Sequence, residues 1–341
     1  MNNHSYEIYK NIMSVNPVID KNYLSHILNH PVESVEITDV AETNTALAIK
    51  ARTPAKKLFI KTIKHDLRKN VYHRKSMKEG IFYKAVQGQK AKNLPIPMCY
   101  DAFVSQETEE FVIVLEDISD EYTAPSGAIL ADKNTWFSCA ESLARFHAAF
   151  WNHGLITQGS ENEENDDQED RACLRSFLDD FNERFDDKTK TVLRNAMEIN
   201  LTHIKTTARR LRGKQNVTLC NGDSHIHNFM LPVRQNGRPL IVDFQFWRAG
   251  IGTGDLAHLT RVNFSEQLRK DIQLPLVVRY YESLAQYGIT GYAWEDCLRD
   301  YRICVWEAHA YSGSQLCYPP SESWVGGCNY RQPQSTGIQR L

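Results

Sequence analysis

The segment with the clearest chemical potential is LCNGDSHIHNFML, residues 219–231, in which a polar run interrupts two apolar ones. Two kinds of site fit this pattern. One is a metal site on the His225-x-His227 pair, since two histidines on one face of a strand can bind zinc. The other is a catalytic loop that uses Asp223 and Asn228. An aspartate can orient a substrate hydroxyl or accept its proton, and an amide oxygen suits Mg²⁺.

Three further charged residues could complete a site that transfers a phosphoryl group from ATP. Asp243 follows the apolar run LIV, and burial of even a neutral polar group costs roughly 2–7 kcal/mol without a partner. A bound cation would offset that cost. Lys61 lies in the strand-like run KLFIKTI, and Glu79 on the following helix could reach back to it. A solvent-facing lysine and a turn aspartate are the alternatives.

The histidine pair and Asp255 give less specific signals. No third or fourth soft ligand lies close in sequence to His225 and His227, so a zinc site is the minor alternative. We expect His225 to hold the loop through hydrogen bonds, and we assign His227 no role. Asp255 stands at the start of the helical run GDLAHL. It either only caps that helix, or it caps the helix and also ties down the backbone of the catalytic loop.

The periodicity of apolar residues predicts an α+β protein with two lobes. Residues 1–118 form a β-rich lobe, and residues 119–341 form a mainly helical lobe that contains the polar loop. The cleft between two such lobes is a common site for a cofactor and a substrate. The predicted strands are 32–40, 45–51, 57–63, 98–105, 110–118, 216–220 and 239–246. The predicted helices are 66–88, 134–150, 171–212 and several between 254 and 313.

The composition excludes several classes of protein. A net charge of −2 over 341 residues gives no basic field for nucleic acid or an acidic membrane surface. We therefore expect no nucleic-acid partner and no membrane association. The first residues lack the layout of a signal peptide, which predicts a cytoplasmic location. The eight cysteines form no C-x-x-C pair, which favours reduced, buried thiols. The oligomeric state is left open.

The order of Lys61, Glu79, LEDI, NGDSHIHN, VDFQ and GDLA along the chain resembles the aminoglycoside phosphotransferase/choline kinase superfamily, which has a protein-kinase-like fold. Within it, the chain resembles the ecdysteroid-kinase-like branch. The resemblance covers roughly residues 35–315, and its strongest part is 219–259. It implies ATP and Mg²⁺ as cofactors, and a small molecule with a hydroxyl group as the acceptor.

The resemblance also implies a role for each matching residue. Asp223 corresponds to the catalytic aspartate, and Asn228 and Asp243 correspond to the Mg²⁺ ligands. Lys61 corresponds to the lysine that binds the ATP phosphates, and Glu79 to its ion-pair partner.

Four other positions correspond to the family's hinge and structural residues. Glu116, Asp117 and Ile118 correspond to the hinge, whose backbone contacts adenine. Asp255 corresponds to the structural aspartate that follows the metal-binding strand.

The chain departs from the family in two places. The family often has histidine where this chain has Asn221, which removes one ring that would hold the loop. The phosphate-covering loop VAETNTAL, residues 40–47, contains no glycine. The backbone amides of Thr43 and Asn44 could still reach phosphate. These departures motivate one alternative function, a nucleotide-binding pseudokinase that acts as an interaction module.

The sequence gives the least specific indication of which residues bind the acceptor. The helical segment RICVWEAHAYSG, residues 302–313, could line it. Trp306 and Tyr311 could enclose a cationic or flat group, and Glu307 could pair with an amine. The alternative is that these residues pack within the helical lobe.

Overall fold

The structure, a computed structural model, describes residues 19–42, 46–63, 71–87, 94–126, 132–155, 186–234 and 237–315. A five-stranded antiparallel sheet fills the first part of this range, and helices dominate the remainder. The predicted α+β class is therefore confirmed, whereas the lobe boundary at residue 118 stays a prediction. Within the described residues, no helix is long and apolar enough to cross a bilayer.

The sheet has the strand order β1-β2-β3-β5-β4. All five strands lie within one or a few residues of the predicted ranges, because each carries β-branched or apolar residues near period two. The predicted hairpin at 98–118 is formed by the last two. The strands are β1 (Glu36–Glu42), β2 (Ala46–Arg52), β3 (Lys57–Ile63), β4 (Cys99–Ser105) and β5 (Glu110–Glu116).

Both faces of the sheet are covered. Successive side chains of a strand point to opposite faces, so Phe111 and Ile113 of β5 join the main core while Val112 and Val114 join a second cluster. Helix α1 (Lys21–Leu28) covers the second cluster through Leu24. The sequence analysis missed this short helix, which begins at the N-cap Asp20. Helix α2 (Val71–Val86), predicted at 66–88, covers the main-core face.

The second part of the chain packs helices around short strands. Helix α3 (Lys133–Ala149) packs on α6 (Glu266–Gln286), and α5 (Thr253–Asn263) packs on α7 (Trp294–Gln315). Helix α4 (Asp187–Gly213) also packs on α7. It belongs to the helical region predicted at 171–212, of which residues 171–185 lie outside the described residues. The strands are β6 (Tyr122–Thr123), β7 (Thr218–Cys220), β8 (Phe229–Pro232), β9 (Leu240–Ile241) and β10 (Arg248–Gly250).

A buried aromatic cluster joins the sheet region to the helical region. Phe82 of α2 stacks on Phe244, with ring centroids 3.9 Å apart and planes 10° apart. Phe146 of α3 lies against both rings, and the Trp247 indole N–H donates to the Lys78 carbonyl oxygen at 2.7 Å. The cluster fixes the segment 243–247, which carries one candidate metal ligand, against helix α2.

The Phe82→Ala substitution should lower the free energy of unfolding by about 3–5 kcal/mol, because it empties a fully buried site and removes the stacking contact with Phe244. Urea denaturation followed by circular dichroism measures the loss. Val233→Ala is the matched control, since its side chain is 62% exposed and should change stability by less than about 0.5 kcal/mol. Equal stability of the two variants would contradict the packing described above.

Candidate active site

The polar loop connects two short strands and ends at a tight turn. Strand β7 ends at Cys220, and a 3-10 turn at Ile226–Asn228 leads directly into β8. Strand β8 pairs with β9 so that Phe229 lies opposite Ile241, and the Val242 N–H donates to the Asn228 carbonyl oxygen at 2.9 Å. This pairing brings Asn228 beside the segment that carries Asp243.

A buried carboxylate fixes the first residues of the loop. Asp255, 3% exposed in the first turn of α5, accepts the Asn221 N–H at 2.6 Å and the Gly222 N–H at 3.0 Å. Its Oδ2 atom also lies 3.1 Å from Nε2 of His147 on α3. The N-cap of α5 is Gly252, so the helix-capping interpretation of Asp255 was wrong, and its predicted contact with the loop backbone is confirmed.

The hydrogen bonds of Asp255 also set its protonation. Burial alone would raise the pKa of this carboxyl group, but the His147 imidazole and the two loop N–H groups outweigh burial and hold the pKa below its ordinary value. His147 is itself held from the other side, since its Nδ1 lies 2.8 Å from the Tyr280 hydroxyl. The carboxylate is therefore charged at neutral pH.

Asn221 bridges the loop and a second backbone segment. Its amide nitrogen donates to the carbonyl oxygens of Val242 at 3.3 Å and Asp243 at 3.0 Å, and its Oδ1 atom accepts the Asp223 N–H at 3.1 Å. One side chain thus joins the loop to the segment after β9. The sequence analysis treated this residue only as a loss, so its bridging role is a correction.

Gly222 is required by the path of the loop. Its φ angle is +84°, and a Cβ atom added there would lie 2.1 Å from the Phe246 carbonyl oxygen. Glycine adopts positive φ without a steric cost, and it leaves room for the close approach of the second backbone segment. The loop and the 243–247 segment are therefore in direct backbone contact.

Lys61 forms the centre of a buried ion cluster. Its ammonium group, on β3, lies 2.5 Å from Oε2 of Glu79 on α2 and 3.7 Å from Oδ1 of Asp243. Burial opposes the charge on Lys61, but the two carboxylates outweigh burial and raise the pKa of the lysine. Burial raises the pKa of Glu79, and the nearby Asp243 adds to this while Lys61 opposes it. The predicted Lys61–Glu79 pair is confirmed.

Asp243 has features that suit a cation ligand. Strand β9 ends at Ile241, so Asp243 lies two residues beyond it rather than at its end, with a φ angle of +61°. Gln245 donates to Oδ2 at 2.9 Å, whereas the buried Oδ1 atom has no hydrogen-bond partner among the described residues. A carboxylate oxygen without a hydrogen-bond partner, on the segment whose Val242 N–H bonds to Asn228, matches the oxygen ligands that Mg²⁺ prefers.

Asp223 has a fixed backbone and a side chain flanked by two imidazoles. Its carbonyl oxygen accepts the Asn228 amide N–H at 2.7 Å and the His225 N–H at 2.8 Å. Its carboxylate oxygens lie 3.3 Å from Nε2 of His258 and 3.6 Å from Nε2 of His225. The carboxylate is 26% exposed, so it remains accessible to a ligand.

His225 holds the loop through backbone hydrogen bonds, since its N–H donates to the Asp223 carbonyl oxygen at 2.8 Å and its carbonyl oxygen accepts the Asn228 N–H at 2.9 Å. The Nδ1 atom of its ring is buried without a hydrogen-bond partner among the described residues. Burial lowers the pKa of the ring, with the neighbouring His258 and His227 adding to this and Asp223 opposing it. The ring is therefore neutral at pH 7.

The described residues do not support a zinc site on the histidine pair. They contain one group of at least three histidine, cysteine or acidic residues near enough for a single ion, namely His147, Cys220 and Asp255. That group excludes His225 and His227, and two of its members already bind each other and the loop. A hydrolase built on His225 and His227 would lack a third ligand within the part of the chain that is described.

Two of the three hinge residues already use their backbone N–H groups in hydrogen bonds. The N–H groups of Glu116 and Asp117 donate to the carbonyl oxygens of Met98 at 2.9 Å and Lys57 at 3.1 Å, and the Glu116 carboxylate accepts the Met98 N–H. The Ile118 N–H, by contrast, has no partner among the described hydrogen bonds. The role of this segment in adenine binding stays a prediction.

Five predicted site residues cannot be compared with the structure. Thr43 and Asn44 lie outside the described residues. Trp306, Glu307 and Tyr311 belong to α7, but the structure describes only their backbone.

Two histidines that contact carboxylates of the site were not among the predicted site residues. His147 lies on the apolar face of α3, where a fully buried imidazole needs a polar partner. His258 follows Asp255 by three residues, which is one helical turn, so both share a face of α5. The sequence shows the position of each histidine on its helix, but it does not show which carboxylate the histidine contacts.

Comparison with known proteins gives one family. The sequence model of the ecdysteroid kinase-like family matches residues 20–289. No curated protein matches the chain.

Two solved structures have a similar fold. An ethanolamine kinase of Plasmodium vivax aligns with a TM-score of 0.56 at 14% identity, over 93% of this chain and 85% of that one. An inferred aminoglycoside phosphotransferase of Ralstonia eutropha aligns with a TM-score of 0.50 at 11% identity, over 87% of this chain and 89% of that one. These likenesses confirm the predicted protein-kinase-like fold.

The Asp255→Asn substitution should lower the free energy of unfolding at pH 7 by about 3 kcal/mol, because it removes a buried charge that three donors contact. The folded-state pKa of Asp255 is depressed, so its stabilisation is present above the ordinary pKa of aspartate and is lost as the pH falls through the folded-state value. The stability gap between wild type and variant should therefore narrow in acid.

Urea denaturation at a series of pH values measures that gap. Asp271→Asn is the matched control, because Asp271 is a surface residue 3.9 Å from Lys133 and such pairs contribute little. A gap that stays constant between neutral pH and pH 3, or a control as unstable as Asp255→Asn, would contradict the assignment.

Proposed function

Because this chain belongs to the ecdysteroid kinase-like family, we propose that it transfers the γ-phosphoryl group of ATP to a hydroxyl group of a small molecule, with Mg²⁺ as the metal cofactor. The observation that carries this proposal is the position of the Lys61 ammonium group. It lies 3.7 Å from a carboxylate oxygen of Asp243 that has no hydrogen-bond partner among the described residues. A fixed cation beside an unsatisfied anionic ligand suits a metal–phosphate complex.

The phosphate-binding part of the proposal assigns a task to each residue of the ion cluster. Lys61 binds phosphate oxygens of ATP, and Glu79 holds its ammonium group in place at 2.5 Å. Asn228 and Asp243 supply oxygen ligands for the metal. Bound there, Mg²⁺ would neutralise charge on the β- and γ-phosphates. The Asn221 side chain bonds to the Asp243 carbonyl oxygen, and the Val242 N–H bonds to the Asn228 carbonyl oxygen, so the two segments that carry these ligands are held together before the nucleotide binds.

Asp223 orients the acceptor. The oxygen of the acceptor hydroxyl attacks the γ-phosphorus, and the bond from that phosphorus to the β–γ bridging oxygen breaks. ADP leaves with the electron pair of that bond, and the hydroxyl proton passes to the Asp223 carboxylate and then to solvent. Positioning and charge stabilisation supply most of the acceleration in such transfers.

Fewer observations support the proposed contacts with adenine and with the acceptor. The Ile118 N–H is available to donate to adenine, which suits a hinge between the sheet and the helices. Trp306, Glu307 and Tyr311 remain candidates for the acceptor side. They follow the matched range 20–289, so the family likeness gives no support for their role.

The Asp223→Asn substitution should lower kcat by about 10²–10⁴-fold and leave the affinity for Mg²⁺-ATP unchanged, because it removes the proton acceptor but keeps the shape of the side chain. Release of ADP with a panel of small alcohols and sugars measures turnover, and isothermal titration calorimetry measures binding. Undiminished turnover in the variant would contradict the role of Asp223. Tight ATP binding without turnover in the wild type would favour the pseudokinase alternative.

The Asp243→Asn substitution should instead weaken Mg²⁺-ATP binding by at least about tenfold, because it removes the only charged metal ligand proposed. Calorimetry with and without Mg²⁺ shows how much of the ATP affinity depends on the metal. In the variant, Mg²⁺ should increase the ATP affinity much less than it does in the wild type. Asp271→Asn again serves as a surface control. An affinity equal to that of the wild type in both conditions would exclude Asp243 as a ligand.

A further inference from the structure

Helix α5 contributes two side chains to the polar loop. Asp255 binds the loop backbone at Asn221 and Gly222. His258, three residues later on the same face, places its Nε2 atom 3.3 Å from Oδ1 of Asp223. The first contact fixes where the loop lies, and the second reaches the carboxylate at its centre.

The helix is a rigid support for this second contact. Leu256 and Leu259, which flank His258, are fully buried in the main core. The His258 side chain is 24% exposed, so most of its surface is covered by neighbouring groups. The position of its Nε2 atom is therefore set by the helix rather than by the loop.

The Asp223 carboxylate needs such a support from outside the loop. The backbone of Asp223 is held by Asn221, His225 and Asn228. These contacts leave rotation about the side-chain bonds undetermined. His225 reaches the other carboxylate oxygen at 3.6 Å, but it belongs to the same loop and moves with it.

We propose that His258 is a positioning residue whose Nε2–H group donates to Oδ1 of Asp223 and holds the carboxylate toward the acceptor hydroxyl. The role rests on the proposed phosphotransfer. In transfer reactions a displacement of about 1 Å can cost on the order of 10²-fold in rate, so one contact that selects a rotamer has a measurable effect. The proposed role of His258 involves neither ATP nor the metal, so nucleotide affinity should not depend on it.

The kinetic test compares three substitutions at the same position. His258→Ala should lower kcat by about 10- to 100-fold and leave KM for Mg²⁺-ATP unchanged. His258→Gln should recover most of the loss, since its amide nitrogen can occupy the place of Nε2. His258→Asn is the matched control, because it has the same amide on a shorter side chain that cannot reach Asp223. Thermal unfolding establishes that each variant is folded.

Equal recovery by glutamine and asparagine would overturn the proposal, because a polar group of any reach would then suffice. A rise in KM for Mg²⁺-ATP at constant kcat would also overturn it, since that result places His258 at the nucleotide.

A second measurement tests the contact without any acceptor. The imidazole ¹⁵N resonances of His258, assigned by their loss in His258→Gln, should shift in Asp223→Asn. Unchanged resonances would overturn the positioning role even if the enzyme is active. Wild-type protein that turns over no acceptor, water included, would refute the phosphotransfer itself and the positioning role with it. The two failures are therefore distinguishable.

Discussion

The buried carboxylate of Asp255 is the contact on which the candidate site depends. A charge at 3% exposure is tolerated only when donors surround it, and here the donors are the loop N–H groups of Asn221 and Gly222 and the imidazole of His147. The same hydrogen bonds that keep the charge buried therefore hold the loop against helix α5. Loss of this carboxylate would leave the N–H groups of Asn221 and Gly222 without their acceptor and release the residues that lead to Asp223.

A second set of contacts joins the loop to the sheet. Asn221 connects the loop to the backbone around Asp243, and Phe244 stacks on Phe82 of helix α2. The same helix carries Glu79, which holds Lys61 on strand β3. The candidate phosphate-binding lysine and the candidate metal ligand are thus positioned by one continuous path of packed and hydrogen-bonded groups. Their separation of 3.7 Å is a consequence of that path.

Much of this arrangement could be predicted from the sequence, because its signals are local. Period-two apolar runs gave the five strands of the sheet, and Lys61 stood out as the charge inside one of them. Features that depend on the partner could not be predicted. Asn221 has no local pattern that indicates two carbonyl acceptors on another segment, and no local pattern indicates the positive φ of Asp243. Strand β9 is also shorter than predicted, since it ends at Ile241, two residues before Asp243.

The central claim is that Asn228 and Asp243 hold a divalent ion beneath a nucleotide whose phosphates meet Lys61. Crystals grown with Mn²⁺ and a non-hydrolysable ATP analogue test it directly, because manganese is located by its anomalous scattering and resembles Mg²⁺ in its preference for oxygen ligands. The account predicts an anomalous peak bonded to oxygen atoms of both residues, with the γ-phosphate within reach of the lysine ammonium group. A bound nucleotide whose manganese contacts neither residue would contradict it.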